Sequence, residues 1–322
     1  MLAAYASSLN PDSPLDGLVV GDRPEPVAEA GWTTVRVKAV SLNHHDLWTL
    51  RGVGISADRL PMTLGCDAAG IDTSTGREVV VHSVISGTDW SGDETFDPGR
   101  SLLSEKHQGT LAELVSVPTR NLIDKPSELS FPEAACLPTA WLTAYRMLFV
   151  NSGVRPGQTV LVQGATGGVA SACIKLGREA GLRIWATART EAKRASAVDL
   201  GAHQAFASGA RLPERVDAVI ETVGAATWSH SLKSLRPGGR IVISGATSGA
   251  RPPAELNRIF FLQLSVVGST MGTRAELANL MSFLQISGVR PPIDRILPLA
   301  QVADGLAAME SGDLLGKIVI EP

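Results

Sequence analysis

The segment Val160–Ala170, VLVQGATGGVA, constrains the fold more than any other stretch of the chain. Successive apolar residues run into Gly164-Ala165-Thr166-Gly167-Gly168, and a helical pattern then extends to Glu179, with Gly181 just after it. An unbroken apolar run before a glycine turn describes a strand buried on both faces. Strand, tight turn and helix in that order form one unit of a parallel sheet. The pattern then repeats. Arg183–Thr187 reads as a strand, Glu191–Leu200 as a helix closed by Gly201, Ala218–Glu221 as a strand and Thr227–Leu235 as a helix. Pro237-Gly238-Gly239 reads as a turn into a strand over Arg240–Ser244, and Ser265–Gly268 as a last short strand. Such alternation implies a doubly wound parallel sheet covered by helices on both faces.

A helix that starts directly after a glycine turn presents unpaired N–H groups and the positive end of its dipole, which suit a pyrophosphate. Gly167 and Gly168 let backbone approach such a group closely, and Ala170 falls where helix and strand pack. Ala165 replaces the first glycine of the usual G-x-G-x-x-G pattern. An ordinary strand–helix turn would also favour small residues; the following strand at the right distance favours the dinucleotide reading. Gly164, Ala165, Thr166, Gly167, Gly168 and Val169 are therefore the candidate phosphate cradle.

The end of the second strand discriminates between the two nicotinamide cofactors. An enzyme that uses NAD places an acid there, about 20 residues beyond the loop, to hold the ribose 2′-hydroxyl. Here the stretch is Ala186-Thr187-Ala188-Arg189-Thr190, without an acid, and Lys193 and Arg194 lie one helical turn on. A 2′-phosphate needs cationic donors, and arginine supplies a planar fork. Ala188, Arg189 and Lys193 thus point to NADPH, the alternative being a solvated, charge-rich helix start. Ser244 and Gly245 follow a strand at the carboxyl edge of the sheet, where ligands of open α/β sheets bind, and Gly245 is expected near the nicotinamide ribose.

Upstream the pattern is β-rich. Trp32–Val40 alternates polar and apolar residues, and Glu78–Val84 and Gly109–Val117 are further strand candidates. Turns separate them, the longest being Ser86–Arg100; short strands with frequent turns suggest a barrel-like domain. Pro132–Val150 carries helical patterning, and Gly316–Ile320 reads as a strand returned to the first domain. A chain of 322 residues with 44% hydrophobic and 19% charged residues has enough apolar content for two packed domains. A net charge of −3 without a basic tract excludes the electrostatic footprint of a nucleic-acid binder. No apolar run approaches a membrane span, and the first residues show no secretory leader. Three cysteines, Cys66, Cys136 and Cys173, cannot make a disulfide framework, so a reducing, cytoplasmic compartment is expected.

Several pieces occur in a fixed order: Asn43-His44-His45-Asp46 after a strand, Leu64-Gly65-Cys66-Asp67-Ala68-Ala69-Gly70, and Gly109-Thr110-Leu111-Ala112-Glu113. Leu137–Tyr145, the glycine turn, Arg236-Pro237-Gly238-Gly239-Arg240 and Gly316-Lys317-Ile318-Val319 follow. In that order they resemble the medium-chain dehydrogenase/reductase superfamily, and within it the quinone oxidoreductase-like (zeta-crystallin-like) branch. The resemblance implies a GroES-like β-barrel domain from both chain ends, 1–123 and 290–322, and a Rossmann domain over 124–289, with the nicotinamide between them. Thr143 resembles the family threonine near the nicotinamide. A homodimer joined through Ser265–Thr270 is also implied.

Zinc-dependent relatives hold catalytic zinc with Cys, His and a further Cys or Asp; the corresponding residues here are Asn43, Cys66 and Thr139. Asn and Thr are poor zinc donors, and Ser86–Gln108 lacks the cysteines of the structural site. His44, His45, Asp46, Cys66 and Asp67 include good ligand types, but neighbours on an extended segment face opposite ways. The resemblance assigns Asn43 to oxyanion or nicotinamide contacts and Asp46 to holding that geometry or relaying a proton, against turn capping as the alternative. Trp48 falls beside the substrate in relatives, or else packs in the core. Lys317 reads as solvated rather than as a cofactor contact. The expectation is an NADPH-dependent, zinc-independent reductase of quinones or α,β-unsaturated carbonyls. A zinc-type alcohol dehydrogenase with atypical ligands, or a non-catalytic NADPH-binding sensor, remains open as an alternative.

Overall fold

The computed structural model describes residues 1–312 and 314–322. The chain forms two compact units. One comprises Met1–Leu142, Met271–Ile286 and Arg290–Pro322, and the other Thr143–Thr270 with Ser287–Val289. The expected division at 123/124 thus falls at 142/143, and the expected boundary at 289/290 is interleaved. Residues 124–142 and Arg274–Ile286, all but the last residue of the helix Arg274–Ser287, cluster with the β-rich unit. Arg274 donates to the carbonyl of Leu122, and Gln285 to Glu128.

The second unit is built on a six-stranded parallel sheet in the order Gln204–Ala207, Arg183–Ala188, Thr159–Gln163, Val216–Glu221, Leu235–Ile243, Ser265–Gly268. Thr159–Gln163 is central and wholly buried, as its apolar run requires. The helix Gly168–Glu179 has the bounds read from the sequence. At Gly177 a Cβ would lie 2.5 Å from Ile184 Cδ1, so helix and sheet approach closely at that glycine, and Ala170 on the same helix is buried. The turn expected at Pro237-Gly238-Gly239 is a bulge inside one strand: Val216 pairs with Leu235, and Ala218 already with Arg240.

The first unit centres on the long strand Trp32–Ser41. It pairs with Ala69–Asp72 and Leu114–Pro118, and near its end with the last strand, Lys317–Glu321. Leu122–Asp124, Glu78–Val81 and Ile293–Pro298 complete this sheet, and Leu18–Asp22, Leu2–Ala6 and Met62–Thr63 form a smaller one. Apolar alternation along these strands, with the turns beside them, packs a core that includes Val35, Val37, Leu64, Leu111 and Ile318. Two strand expectations shrink. Glu78–Val84 breaks after Val81, and Gly109–Val117 begins only at Leu114. The predicted helix over Pro132–Val150 starts with a capping box between Ser130 and Glu133, then widens into π-type turns over Leu137–Trp141 and Arg146–Asn151. Pro138 lacks the N–H that a regular turn would use. Among the described residues no helix is long and apolar enough to cross a membrane.

Candidate functional site

In the second unit the candidate residues Gly164–Val169, Ala188, Arg189, Ser244 and Gly245 lie at or just after the carboxyl ends of three strands of the parallel sheet. Gly164 leaves the central strand with φ +76°, a conformation that favours glycine. Ala165 N–H donates to Thr187 O at 3.0 Å, which fixes the loop against the neighbouring strand. Gly167 is the N-cap of the helix Gly168–Glu179 and provides no side-chain cap. A Cβ placed on Gly167 meets no described atom within 4 Å. Uncapped N–H groups beside open space fit a pyrophosphate, so the loop passes the physical test for a dinucleotide.

At the end of the next strand Ala188 is buried and Arg189 exposed. Thr190 caps the following helix by accepting from Lys193 N, and Arg194 Nη1 turns back toward Ala188 O at 3.5 Å. Arg189 thus directly follows that strand end, and the Arg194 side chain folds back onto it. Ser244 N–H donates to Glu221 O, and a Cβ at Gly245 would lie 2.8 Å from Thr222 O, so both sit in the turn region at the carboxyl edge. Thr143 is buried in the helical run. Reading the sequence missed Glu221, which is fully buried and accepts from Val223 N, Gly224 N, Thr227 Oγ1 and Ser231 Oγ. Its bonds shape the turn leading to Gly224.

In the first unit, Asn43, Cys66, Asp67 and Thr139 come together. His44–Leu50 is a helix rather than an extended segment, capped by reciprocal bonds between Asn43 and Asp46. His44 and His45 therefore diverge by about 100° around a helix, which still keeps them from sharing one metal. Asp46 is fully buried and accepts Asn43 N–H at 2.8 Å and Gly65 N–H at 3.0 Å. Burial raises its pKa, which the Asn43 amide bond partly offsets. Of its two proposed tasks, this geometry displays the positioning one.

Asn43 is 6% exposed, and its amide nitrogen donates to Ser41 O at 3.1 Å and Asp67 Oδ2 at 2.8 Å. Both amide hydrogens are thus directed inward, and the expected oxyanion contact from Asn43 has no hydrogen left to make it. Its Oδ1 accepts from Lys317 Nζ at 2.6 Å. Lys317 is 4% exposed, which corrects the expectation of a solvated lysine. Asp67 also accepts from Ser41 Oγ and Thr139 Oγ1, each at 2.6 Å, and Thr139 Oγ1 lies 3.4 Å from Cys66 Sγ. Burial pushes the Cys66 thiol pKa up. Trp48 is 37% exposed, with the Arg51 guanidinium 5.3 Å from its ring centre, so it is not core packing.

This donor set does not fit zinc. The one Asn43 atom able to bind a cation already faces an ammonium, and Thr139 directs its hydrogen to Asp67. Among the described residues no group of three or more His, Cys, Asp or Glu is placed to hold a metal. His45 instead bonds Glu105 at 3.2 Å and Ser104 at 3.3 Å.

Residues 29–127 match the alcohol dehydrogenase GroES-like domain family, and residues 168–285 the zinc-binding dehydrogenase family. The chain is 27% identical to a quinone oxidoreductase of Lama guanicoe over 92% of its length and 90% of that protein. It is 26% identical to an acryloyl-coenzyme A reductase of Sulfurisphaera tokodaii over 96% and 98%. A crystal structure of an NAD-dependent alcohol dehydrogenase superposes over 100% of both chains, with a TM-score of 0.92 and 33% identity.

Proposed function

The chain belongs to the medium-chain dehydrogenase/reductase superfamily, and from that premise we propose that it is an NADPH-dependent oxidoreductase of quinones or α,β-unsaturated carbonyls that works without zinc. The observation that carries this reading is the inward commitment of the polar side chains in the first unit. Reduction of a simple carbonyl builds a basic alkoxide, which needs a Lewis acid or a set of donors. Here the Asn43 amide hydrogens serve Ser41 and Asp67, and the Thr139 hydroxyl serves Asp67. A quinone or enone spreads the incoming charge over its own π system, so it asks less of the protein. The relatives named for quinones and acryloyl-coenzyme A act on acceptors of that type.

Bound NADPH supplies the hydride. Gly164–Val169 hold its pyrophosphate, Arg189 and Lys193 its 2′-phosphate beside Ala188, and Thr143, Ser244 and Gly245 its nicotinamide end. Asn43 and Asp46 shape the substrate side, and Trp48 offers an aromatic face. The absence of an acid between Ala186 and Thr190 supports NADPH, although one solved relative is named for NAD. The same reading makes the protein a cytoplasmic homodimer.

NADPH absorbance followed with a panel of quinones and short enals tests the proposal, together with metal analysis of the purified chain. Consumption of NADPH with either class supports it. Binding of NADPH without oxidation across the panel favours a sensor, and about one zinc per chain removes the zinc-free reading.

A further inference from the structure

The last strand runs antiparallel to Trp32–Ser41, with Val319 opposite Ser41 and Leu42 N–H bonded to Ile318 O. That register brings Lys317 beside Asn43, 274 positions away in sequence. The buried ammonium donates to Leu42 O at 2.5 Å and to Asn43 Oδ1. An ammonium withdrawn from water requires a compensating charge. Asp67, fully buried, lies on the other side of the same amide and accepts from its nitrogen.

Asn43 thus stands between a cation and an anion, carbonyl toward one and NH₂ toward the other. Only one orientation of the amide satisfies both. A flip about χ2 would set NH₂ against the ammonium and carbonyl oxygen against the carboxylate. The same carboxylate receives the Thr139 hydrogen. Because that hydrogen is engaged, Thr139 Oγ1 can only accept in its 3.4 Å contact with Cys66. Thr139 is half-buried, whereas Lys317, Asn43, Asp67 and Cys66 are buried. The network therefore ends in a hydroxyl oxygen that has given away its hydrogen and can only accept.

We propose that Lys317 is a positioning residue for the substrate side: its charge locks the Asn43 amide and, through Asp67, fixes Thr139 as a hydrogen-bond acceptor toward its ligand. The group that suits Thr139 is accordingly an N–H or O–H donor, such as the hydroxyl of a quinol product, rather than the carbonyl of the quinone. The placement of this network on the substrate side rests on the proposed function; its internal order does not.

The test uses the full chain with Lys317→Met and Lys317→Arg. Two readouts are taken well below each variant's melting temperature: side-chain amide NMR signals of ¹⁵N-asparagine-labelled protein, and separate kcat and KM values with NADPH and a quinone. In Lys317→Met the Asn43 amide protons are expected to lose their protection from exchange, and kcat to fall by about tenfold to a hundredfold with the KM for NADPH unchanged. Lys317→Arg, which keeps the charge, is expected to recover most of both. Should Lys317→Met fail to fold, Lys317→Gln, which keeps a donor but no charge, carries the same comparison. If the wild-type chain oxidises NADPH with no quinone or enal, the functional reading fails, while the amide signals still decide the role of Lys317. A neutral variant that melts earlier yet keeps its Asn43 amide protection and its kcat overturns the proposal, because Lys317 is then structural alone.

Discussion

Asp46 Oδ1 accepts the backbone amide of Gly65 at 3.0 Å, joining the helix that begins at His44 to the turn that carries Cys66 and Asp67. Its other oxygen accepts Asn43 N–H, so one carboxylate aligns both halves of the buried polar network. Asp46→Ala leaves two buried N–H groups without partners, and a loss of about 2–4 kcal/mol is expected. Asp46→Asn keeps one acceptor and turns an NH₂ toward the other amide, so an intermediate loss is expected. Urea denaturation of the two variants measures both. Equal stability of Asp46→Ala and wild type would contradict the positioning role.

Arg189 is exposed at the end of its strand with no acid beside it. Arg189→Glu places a carboxylate where a 2′-phosphate is proposed to bind. Loss of one charge-assisted bond and gain of repulsion should weaken NADPH by about tenfold to a hundredfold, with NADH affinity unchanged or improved. Fluorescence titration of both nucleotides reads the ratio. A ratio that does not move removes the basis for the cofactor assignment.

Two glycines separate binding from packing. At Gly167 an added methyl meets no described atom within 4 Å, and its φ of −70° suits alanine. Gly167→Ala should therefore leave thermal stability nearly unchanged but intrude on the pyrophosphate and weaken NADPH. At Gly177 the added methyl would lie 2.5 Å from Ile184, so Gly177→Ala should destabilise by about 1–3 kcal/mol. Melting curves with and without NADPH distinguish the two effects. A stable Gly167→Ala that binds NADPH as wild type does would argue against the loop as a phosphate cradle.

The contrast between these sites shows what the sequence discloses. The strand, glycine turn and helix around Gly167 are consecutive, so their pattern is local and readable. Gly168–Glu179 emerges with the expected bounds because Gly167 and Gly181 bracket it. Lys317 is different. Its burial depends on pairing between strands 274 positions apart, and no local period records that. Asn43 and Asp46 have the spacing of a capping box, which was legible, yet the helix they cap, His44–Leu50, is too short for a period to show. The later helices Leu256–Phe261 and Val302–Ser311 went unread because glycine, proline and polar residues break up the apolar pattern around them. Asp67 offered only its neighbours in Leu64–Gly70, since its partners Ser41, Asn43 and Thr139 come from separate elements.

His45 and Glu105 form an ion pair at 3.2 Å. Burial opposes the charge on His45, but Glu105 and Asp46 favour it and its pKa is raised above 6.5; Cys66, whose thiol burial keeps neutral over this range, adds no charge. Burial likewise opposes the charge on Glu105, and His45 with the Leu102 amide brings its pKa below 4.5. The signs follow from linkage. The His45 contribution is fully present below pH 6.5 and is lost as pH rises through its raised folded value. The Glu105 contribution is present above pH 4.5 and is lost as pH falls through its lowered one. Wild type minus Glu105→Gln should therefore be largest between those limits and shrink above pH 6.5. Melting temperatures of the two proteins across that range give the difference, and a constant difference would mean that the pair is not ionic.

Ser265–Gly268 is the outermost strand of its sheet, with Val266 and Gly268 exposed along the free edge. An apolar edge strand left open to water is a template for pairing with another chain. Pairing two copies across a two-fold axis satisfies both edges with one isologous contact and stops there, whereas a head-to-tail contact would continue. Phe260 and Phe261, exposed just before this strand in sequence with ring centroids 4.5 Å apart, add further exposed apolar area. In a dimer paired along this edge, Val266→Lys would put an ammonium on each side of the axis while leaving the half-buried Ser265 and Val267 in place. Sedimentation velocity should show the wild type as a dimer and Val266→Lys as a folded monomer, with NADPH affinity retained because the glycine turn lies on a different strand of the sheet. A dimer that survives Val266→Lys would place the interface elsewhere.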